Sequence, residues 1–265
     1  MAASDLNLQD ALNYLIPLAH EADKVIMSLY NNNIEVASKV DSSPVTKADI
    51  MSNELIISSL KARYPNISIL SEETVDDRSR LQNDWCFIID PLDGTKGFIA
   101  KNGEFTVNIA LSFKQNVVLG VVSVPTTGEV YYGAKGIGSF YEKNGIKSLI
   151  QVSDNTTKLR MVRSREHSHP LEDVLVNTHG ITDIVYSGSS IKGCLVACGD
   201  AEVYYRFGET SEWDTAAMQC IVEQAGGVFC QTDGTPMIYN REDTRNRLGF
   251  LAVNRLDNIW LVPIE

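Results

Sequence analysis

Residues 85–95 read Trp-Cys-Phe-Ile-Ile-Asp-Pro-Leu-Asp-Gly-Thr. An apolar run suited to a buried strand ends in two aspartates three residues apart. Pro91 fixes one backbone angle between them, and Gly94 permits a tight turn behind them. Carboxylates held this close repel each other unless a proton or a cation sits between them. The donor set is all oxygen, with no His or Cys nearby, which suits a hard cation, Mg²⁺ before Zn²⁺. Taken alone, the segment also fits an Asp-rich turn after a strand, since Asp-Gly is common in turns.

The surrounding pattern is that of a layered α/β (α+β) fold. Leu8, Leu12, Leu15, Ala19, Ala22, Ile26 and Leu29 recur at helical spacing, and Pro17 within them should kink the helix or move its start. A second helix is expected from Lys47 to Arg63, ended by Pro65. Ile67–Leu70 and Trp85–Ile89 read as short buried strands. Phe105–Phe113 alternates, with Val107, Ile109, Leu111 and Phe113 on one side. Strands at Val117–Val124 and Val130–Ala134 flank a turn at 125–128, and Asn144-Gly145 predicts a hairpin. Further on, Leu159–Val162, Ile184–Tyr186 and Glu202–Arg206 read as strands. Ser190–Cys198 and Asp214–Ala225 read as helices, the second ended by Gly226-Gly227. Polar residues cluster near 152–158, so the chain is read as two halves, 1–155 and 156–265.

The chain has 265 residues and is 44% hydrophobic, enough for a sizeable core. Its formal net charge of −11 argues against binding long nucleic acid by phosphate neutralisation. A small anionic substrate stays compatible, because bound cations can reverse the field within one cleft. Five cysteines without paired spacing do not suggest a disulfide framework, and they read as reduced thiols. Cys194 and Cys198 would share a helix face as small core side chains. With Asp5 and Asp10 and no basic stretch, the N-terminal region does not read as a secretory signal. No apolar run approaches the ~20 residues of a membrane span. A cytoplasmic location is therefore expected, with the surface of the inner membrane as the alternative.

Three further acidic positions stand out. Glu72-Glu73 follow the strand ending at Leu70, and alone they fit a solvated loop. Thr46-Lys-Ala-Asp49 has capping-box spacing, a structural role that can coexist with chemistry. Asp214 opens a helix, where an Asp is ordinarily a cap. Together, Ser71-Glu72-Glu73, Asp90-Pro-Leu-Asp-Gly-Thr95 and Trp213-Asp-Thr-Ala-Ala217 resemble the inositol monophosphatase superfamily of lithium-sensitive, magnesium-dependent phosphatases. Within it, the segments 102–111 and Gly188-Ser-Ser-Ile-Lys192 resemble the 3'(2'),5'-bisphosphate nucleotidases, including the bacterial branch linked to sulfur metabolism. Gly97 departs from that branch, which often carries an acid there.

This resemblance implies an α-β-α-β-α sandwich of the inositol monophosphatase and fructose-1,6-bisphosphatase type. It implies hydrolysis of adenosine 3'(2'),5'-bisphosphate to AMP and phosphate by metal-activated water. Glu72, Asp90, the Leu92 carbonyl, Asp93 and Asp214 would bind two magnesium ions. A third, looser position is expected near Asp49 and Thr95, which with Glu72 would orient the water. Gly94, Thr95, His167, Ser190, Lys192, Arg206 and Asp214 would contact substrate. Without the resemblance, Lys192 and Arg206 read as surface charges, and His20, His169 and His179 carry no functional reading. The expected partner is one small nucleotide, with no integral membrane segment and a monomeric chain.

Three alternatives remain at this stage. One is an inositol or sugar monophosphatase on the same scaffold. Another is an aspartyl-phosphate phosphatase, although its two aspartates are normally separated by one residue rather than two. The third is a non-catalytic protein that binds a cation or nucleotide.

Overall fold

The computed structural model describes residues 6–31, 36–38, 44–165 and 168–261. Helix α1 (Leu8–Tyr30) is capped by Asn7, whose side chain accepts from the Gln9 and Asp10 N–H groups. It does not start after Pro17 but runs through it. Proline inside a helix costs about 3 kcal/mol. The buried face of Leu12, Leu15, Leu18 and Ile26 outweighs that at roughly 1.5–3 kcal/mol per side chain.

Two short strands, β1 (Val36–Ser38) and β2 (Pro44–Thr46), pair antiparallel and lead into α2 (Lys47–Arg63). Then come β3 (Ser68–Ser71), β4 (Trp85–Asp93), α3 (Thr95–Ile99), β5 (Thr106–Phe113), β6 (Asn116–Val124), β7 (Glu129–Ala134), β8 (Gly138–Lys143) and β9 (Ile146–Ile150). Strands β3 to β9 form one seven-stranded sheet in sequence order, antiparallel except for the parallel β3–β4 pair. The second half contains β10 (Arg160–Arg163), α4 (Pro170–His179), β11 (Asp183–Tyr186), α5 (Ile191–Ala197) and β12 (Val203–Arg206). It continues with β13 (Thr210–Ser211), α6 (Glu212–Gln224), β14 (Val228–Gln231), β15 (Arg245–Asn246) and β16 (Phe250–Val253). Its five-stranded sheet has the order β11-β10-β12-β16-β14, and β13 pairs with β15 alone.

The layers follow from which face each strand buries. On β4, Phe87 and Ile89 pack with α1, α2 and Val107, Ile109 and Leu111 of β5. Cys86 and Ile88 point the other way, into a core shared with α5, α6 and the second sheet. Beyond that sheet, Met161, Val203 and Leu251 pack with Leu175 of α4. The order is thus α1 and α2, first sheet, α5 and α6, second sheet, α4, the five-layer arrangement that the family resemblance implied. The sheets change over between Ile150 and Arg160, while α6 packs on both. Among the described residues, no helix is long and apolar enough to cross a membrane.

The helix α4 was not predicted from the sequence. Its short pattern carries one strong start signal, Pro170 in the first turn, and one stop signal, Gly180 in a left-handed C-cap. The sequence analysis also contains no strands at β13 to β16; β13 and β15 have only two residues each, too few to show any periodicity.

Candidate active site

Residues three apart on a regular strand point to opposite faces. Asp90 and Asp93 escape that rule because the β4–β5 ladder is irregular between them: Asp90 faces Asn108, and Asp93 faces Thr106. Three steps on β4 match two on β5, so the extra residue turns both carboxylates toward one place. Asp90 is buried at 1% exposure, and its Oδ1 accepts the Leu92 N–H at 3.0 Å.

The third carboxylate arrives on α6. Ser211, not Asp214, is the N-cap of this helix, which begins at Glu212. Asp214 sits at the third helical position and accepts the Ser211 N–H at 2.6 Å, closing a capping box. The helix lies hard against β6 at Gly120, where a Cβ would come within 2.2 Å of the Ala217 carbonyl oxygen. That approach brings carboxylate oxygens of Asp90, Asp93 and Asp214 within 4.8 Å of one another.

Burial, then the charges of Glu72, Asp93 and Asp214, push the Asp90 carboxyl well above its ordinary range. Burial and Asp93 raise Asp214 to about 8. Acids that resist ionisation because they are buried and crowd one another form a site suited to a hard divalent cation, and an all-carboxylate set fits one. Glu72 lies outside the three-acid group. It is half-buried, lines the same cleft and is near enough to raise Asp90 and Asp214. Its N–H donates to the Ile89 carbonyl, which ties it to β4.

Thr95 starts α3 behind Gly94, which adopts φ 92°, a conformation that favours glycine, and where a Cβ would press on the Glu104 carbonyl oxygen at 3.1 Å. The Thr95 hydroxyl donates to Asp49 Oδ1 at 3.0 Å and lies 3.4 Å from the Leu92 carbonyl. Asp49 Oδ2 also accepts from the Thr46 N–H and hydroxyl, at 2.8 and 2.6 Å, so the capping box and the bond to Thr95 coexist.

The cleft has a volume of about 340 Å³, and its lining includes Glu72, Asp93, Thr95 and Asp214 on one side and Ser190, Lys192 and Arg206 on the other. Lys192 is no surface charge: it is 7% exposed, its Nζ donates to the Ser189 carbonyl at 2.8 Å, and burial lowers it to about 8. Arg206 is half-buried. Ser190 is turned to the acids, with its N–H and hydroxyl on Asp93 Oδ2 at 2.8 and 3.0 Å. His167 lies outside the described residues. His169 caps α4, accepting the Leu171 N–H.

A sequence model of the inositol monophosphatase family matches residues 7–254. The chain belongs to the inositol monophosphatase family. Within it, the chain is 40% identical over 247 residues to the 3'(2'),5'-bisphosphate nucleotidase CysQ of Escherichia coli K12, covering 90% of this chain and 98% of that protein. It is 30% identical over 258 residues to the protein of the same name from Haemophilus influenzae, covering 94% of both. The crystal structure of CysQ from Bacteroides thetaiotaomicron, a bacterial member of the family, superposes with a TM-score of 0.82 at 36% identity, over 95% of this chain and all of that one. The inositol monophosphatase of Anabaena gives 0.74 at 27% identity, over 94% and 91% of the two chains. Metal dependence is a property of the family, and the three-acid cluster is where this member can meet it.

Several residues in or behind this family member's cleft have no assigned role in the sequence analysis. Asn108 donates to the Ser190 hydroxyl at 2.9 Å and accepts from Thr106 at 2.9 Å, so β5 braces the loop that holds Asp93. The alternation of β5 contained the clue, because Thr106 and Asn108 interrupt the face opposite Val107 and Ile109. Glu104, Arg165 and Glu172 line the cleft itself. Glu172 belongs to the unpredicted α4, so nothing in its surroundings pointed there.

Proposed function

We propose that this chain is a magnesium-dependent phosphomonoesterase that removes one phosphate from adenosine 3'(2'),5'-bisphosphate, leaving AMP. The relatives at 40% identity are named 3'(2'),5'-bisphosphate nucleotidases, which supports the nucleotidase part of this reading. The observation that carries the reading is the meeting of three carboxylates within 4.8 Å in a cleft also lined by Lys192 and Arg206. Acids able to hold cations face basic side chains able to contact an anionic nucleotide.

Glu72, Asp90, the Leu92 carbonyl, Asp93 and Asp214 would hold two magnesium ions, and Asp49 with Thr95 would border a third. Bound there, the ions would neutralise charge on the phosphoryl oxygens and acidify the attacking water. The protein's own part is orientation and proton transfer. Because the Thr95 hydroxyl donates to Asp49, its lone pairs are available to accept a proton from water. Asp49, held by three donors, keeps that hydroxyl in one orientation and receives the displaced proton. Glu72 borders the same space and would help to position the water. Gly94 and Thr95 would border the scissile phosphate. Lys192, Arg206, Ser190 and His167 would contact the rest of the nucleotide, with Ser190 acting largely through Asp93.

The test is phosphate release from adenosine 3',5'- and 2',5'-bisphosphates, 3'-phosphoadenylyl sulfate and inositol 1-phosphate, with and without magnesium. The expected outcome is highest kcat/KM on an adenosine bisphosphate, lost with chelator and nearly lost in Asp90→Asn. A maximum on inositol phosphate would instead support the monophosphatase reading, which the fold shared with the Anabaena enzyme keeps in view.

A further inference from the structure

The cleft contains a charge pair that the proposed chemistry leaves unused. Glu104 lies between α3 and β5, and Arg165 follows β10 in the other half of the chain. Both line the cleft, and the Arg165 guanidinium donates to the Glu104 carboxylate. Each partner has a second anchor. The Glu104 N–H donates to Asn102 Oδ1 at 2.8 Å, and Gly188 packs so close that a Cβ there would lie 2.7 Å from Glu104 Cβ. A side chain at Gly97 would come within 2.8 Å of that same Asn102 oxygen, so the departure at Gly97 belongs to this corner. Arg165 Nη2 donates to the Tyr186 carbonyl at 3.3 Å, which orients the guanidinium independently of Glu104.

The side chains of Arg165 and Glu104 are 55% and 21% exposed. An ion pair so open to water is weak and exchangeable. A guanidinium can swap a carboxylate for a phosphate and keep its fork of donors satisfied. We propose that Arg165 determines specificity for the second, non-scissile phosphate of the substrate, and that Glu104 is the anion it leaves when that phosphate binds. A substrate with one phosphate offers Arg165 nothing and leaves the pair closed. A bisphosphate must outcompete Glu104, whose charge also repels it. The inference rests on the bisphosphate reading above and deepens it.

Opposite effects of the two partners test it. KM for adenosine 3',5'-bisphosphate and Ki for AMP, which keeps the non-scissile phosphate, are measured at saturating magnesium, with Ki for inorganic phosphate as reference. Arg165→Gln should raise the first two about tenfold relative to the reference, the worth of one charge-assisted contact. Arg165→Lys should fall between. Glu104→Gln should lower them, by up to about fivefold. If both variants weaken AMP alike, or Arg165→Gln weakens AMP and phosphate equally, the pair is a structural tie and the inference is wrong. A wild type that cleaves bisphosphates alongside such variants overturns the inference alone. A wild type inactive on every bisphosphate overturns the function and the inference together.

Discussion

The Thr95 hydroxyl and the Asp49 carboxylate form one unit at the scale of single residues, since the first donates to the second at 3.0 Å and Asp49 is 1% exposed. Their replacements should nonetheless behave differently. Thr95→Ala removes a half-buried hydroxyl and no cap, so kcat should fall by about 10²–10⁴, the usual worth of positioned proton transfer, with the melting temperature nearly unchanged. Thr95→Ser should restore most of the rate. Asp49→Ala removes the same proton acceptor and also opens the α2 capping box, so it should add a stability loss of about 1 kcal/mol. Steady-state kinetics beside thermal melts separate the two. If Thr95→Ala kept its kcat, the water-orienting role would pass to Glu72.

At the scale of elements, the site depends on how closely α6 approaches β6. A methyl group at Gly120 would overlap the Ala217 carbonyl oxygen, a backbone atom of α6 that cannot rotate away. Gly120→Ala should therefore destabilise the fold by about 1–3 kcal/mol through overpacking. Because Asp214 rides on the first turn of that helix, the variant should also need more magnesium for half-maximal activity. Denaturant midpoints and a magnesium titration check both. A stable variant with unaltered magnesium demand would mean that Asp214 is positioned by its capping box alone.

For the whole molecule, the crowded acids couple stability to pH and to metal. An acid whose pKa is raised by folding binds more protons folded than unfolded, so stability falls as pH climbs through the interval between the two values. Asp214 shifts from the ordinary 3.8 to about 8, and Asp90 moves in the same direction. The metal-free protein should consequently lose melting temperature as pH rises from about 4 to about 8. Magnesium should reverse the loss, because bound cations stand in for the missing protons and favour the folded state. Asp214→Asn should flatten the metal-free profile. A metal-free profile that rises over this interval would show that other groups dominate.

Much of this was legible in the chain itself. Residues 85–90 announced a buried strand running into acids, the bounds Lys47–Arg63 of α2 came from local spacing and Pro65, and the Asn144-Gly145 hairpin came from turn chemistry, because each rests on neighbours in sequence. Family-specific motifs added the remaining acids. Other features needed the third dimension. Strand periodicity puts Asp90 and Asp93 on opposite faces, and only the irregular pairing with β5 brings them together. Without the family motifs Lys192 reads as a surface charge until α5 packs it beneath the cleft, and the hold of the Ser190 N–H and hydroxyl on Asp93 has no signal in the local sequence. The sequence by itself determined which residues could bind a cation and which elements carry them. The tertiary structure alone decided which of them meet, because convergence across more than a hundred residues depends on layer packing and register, which no local pattern encodes.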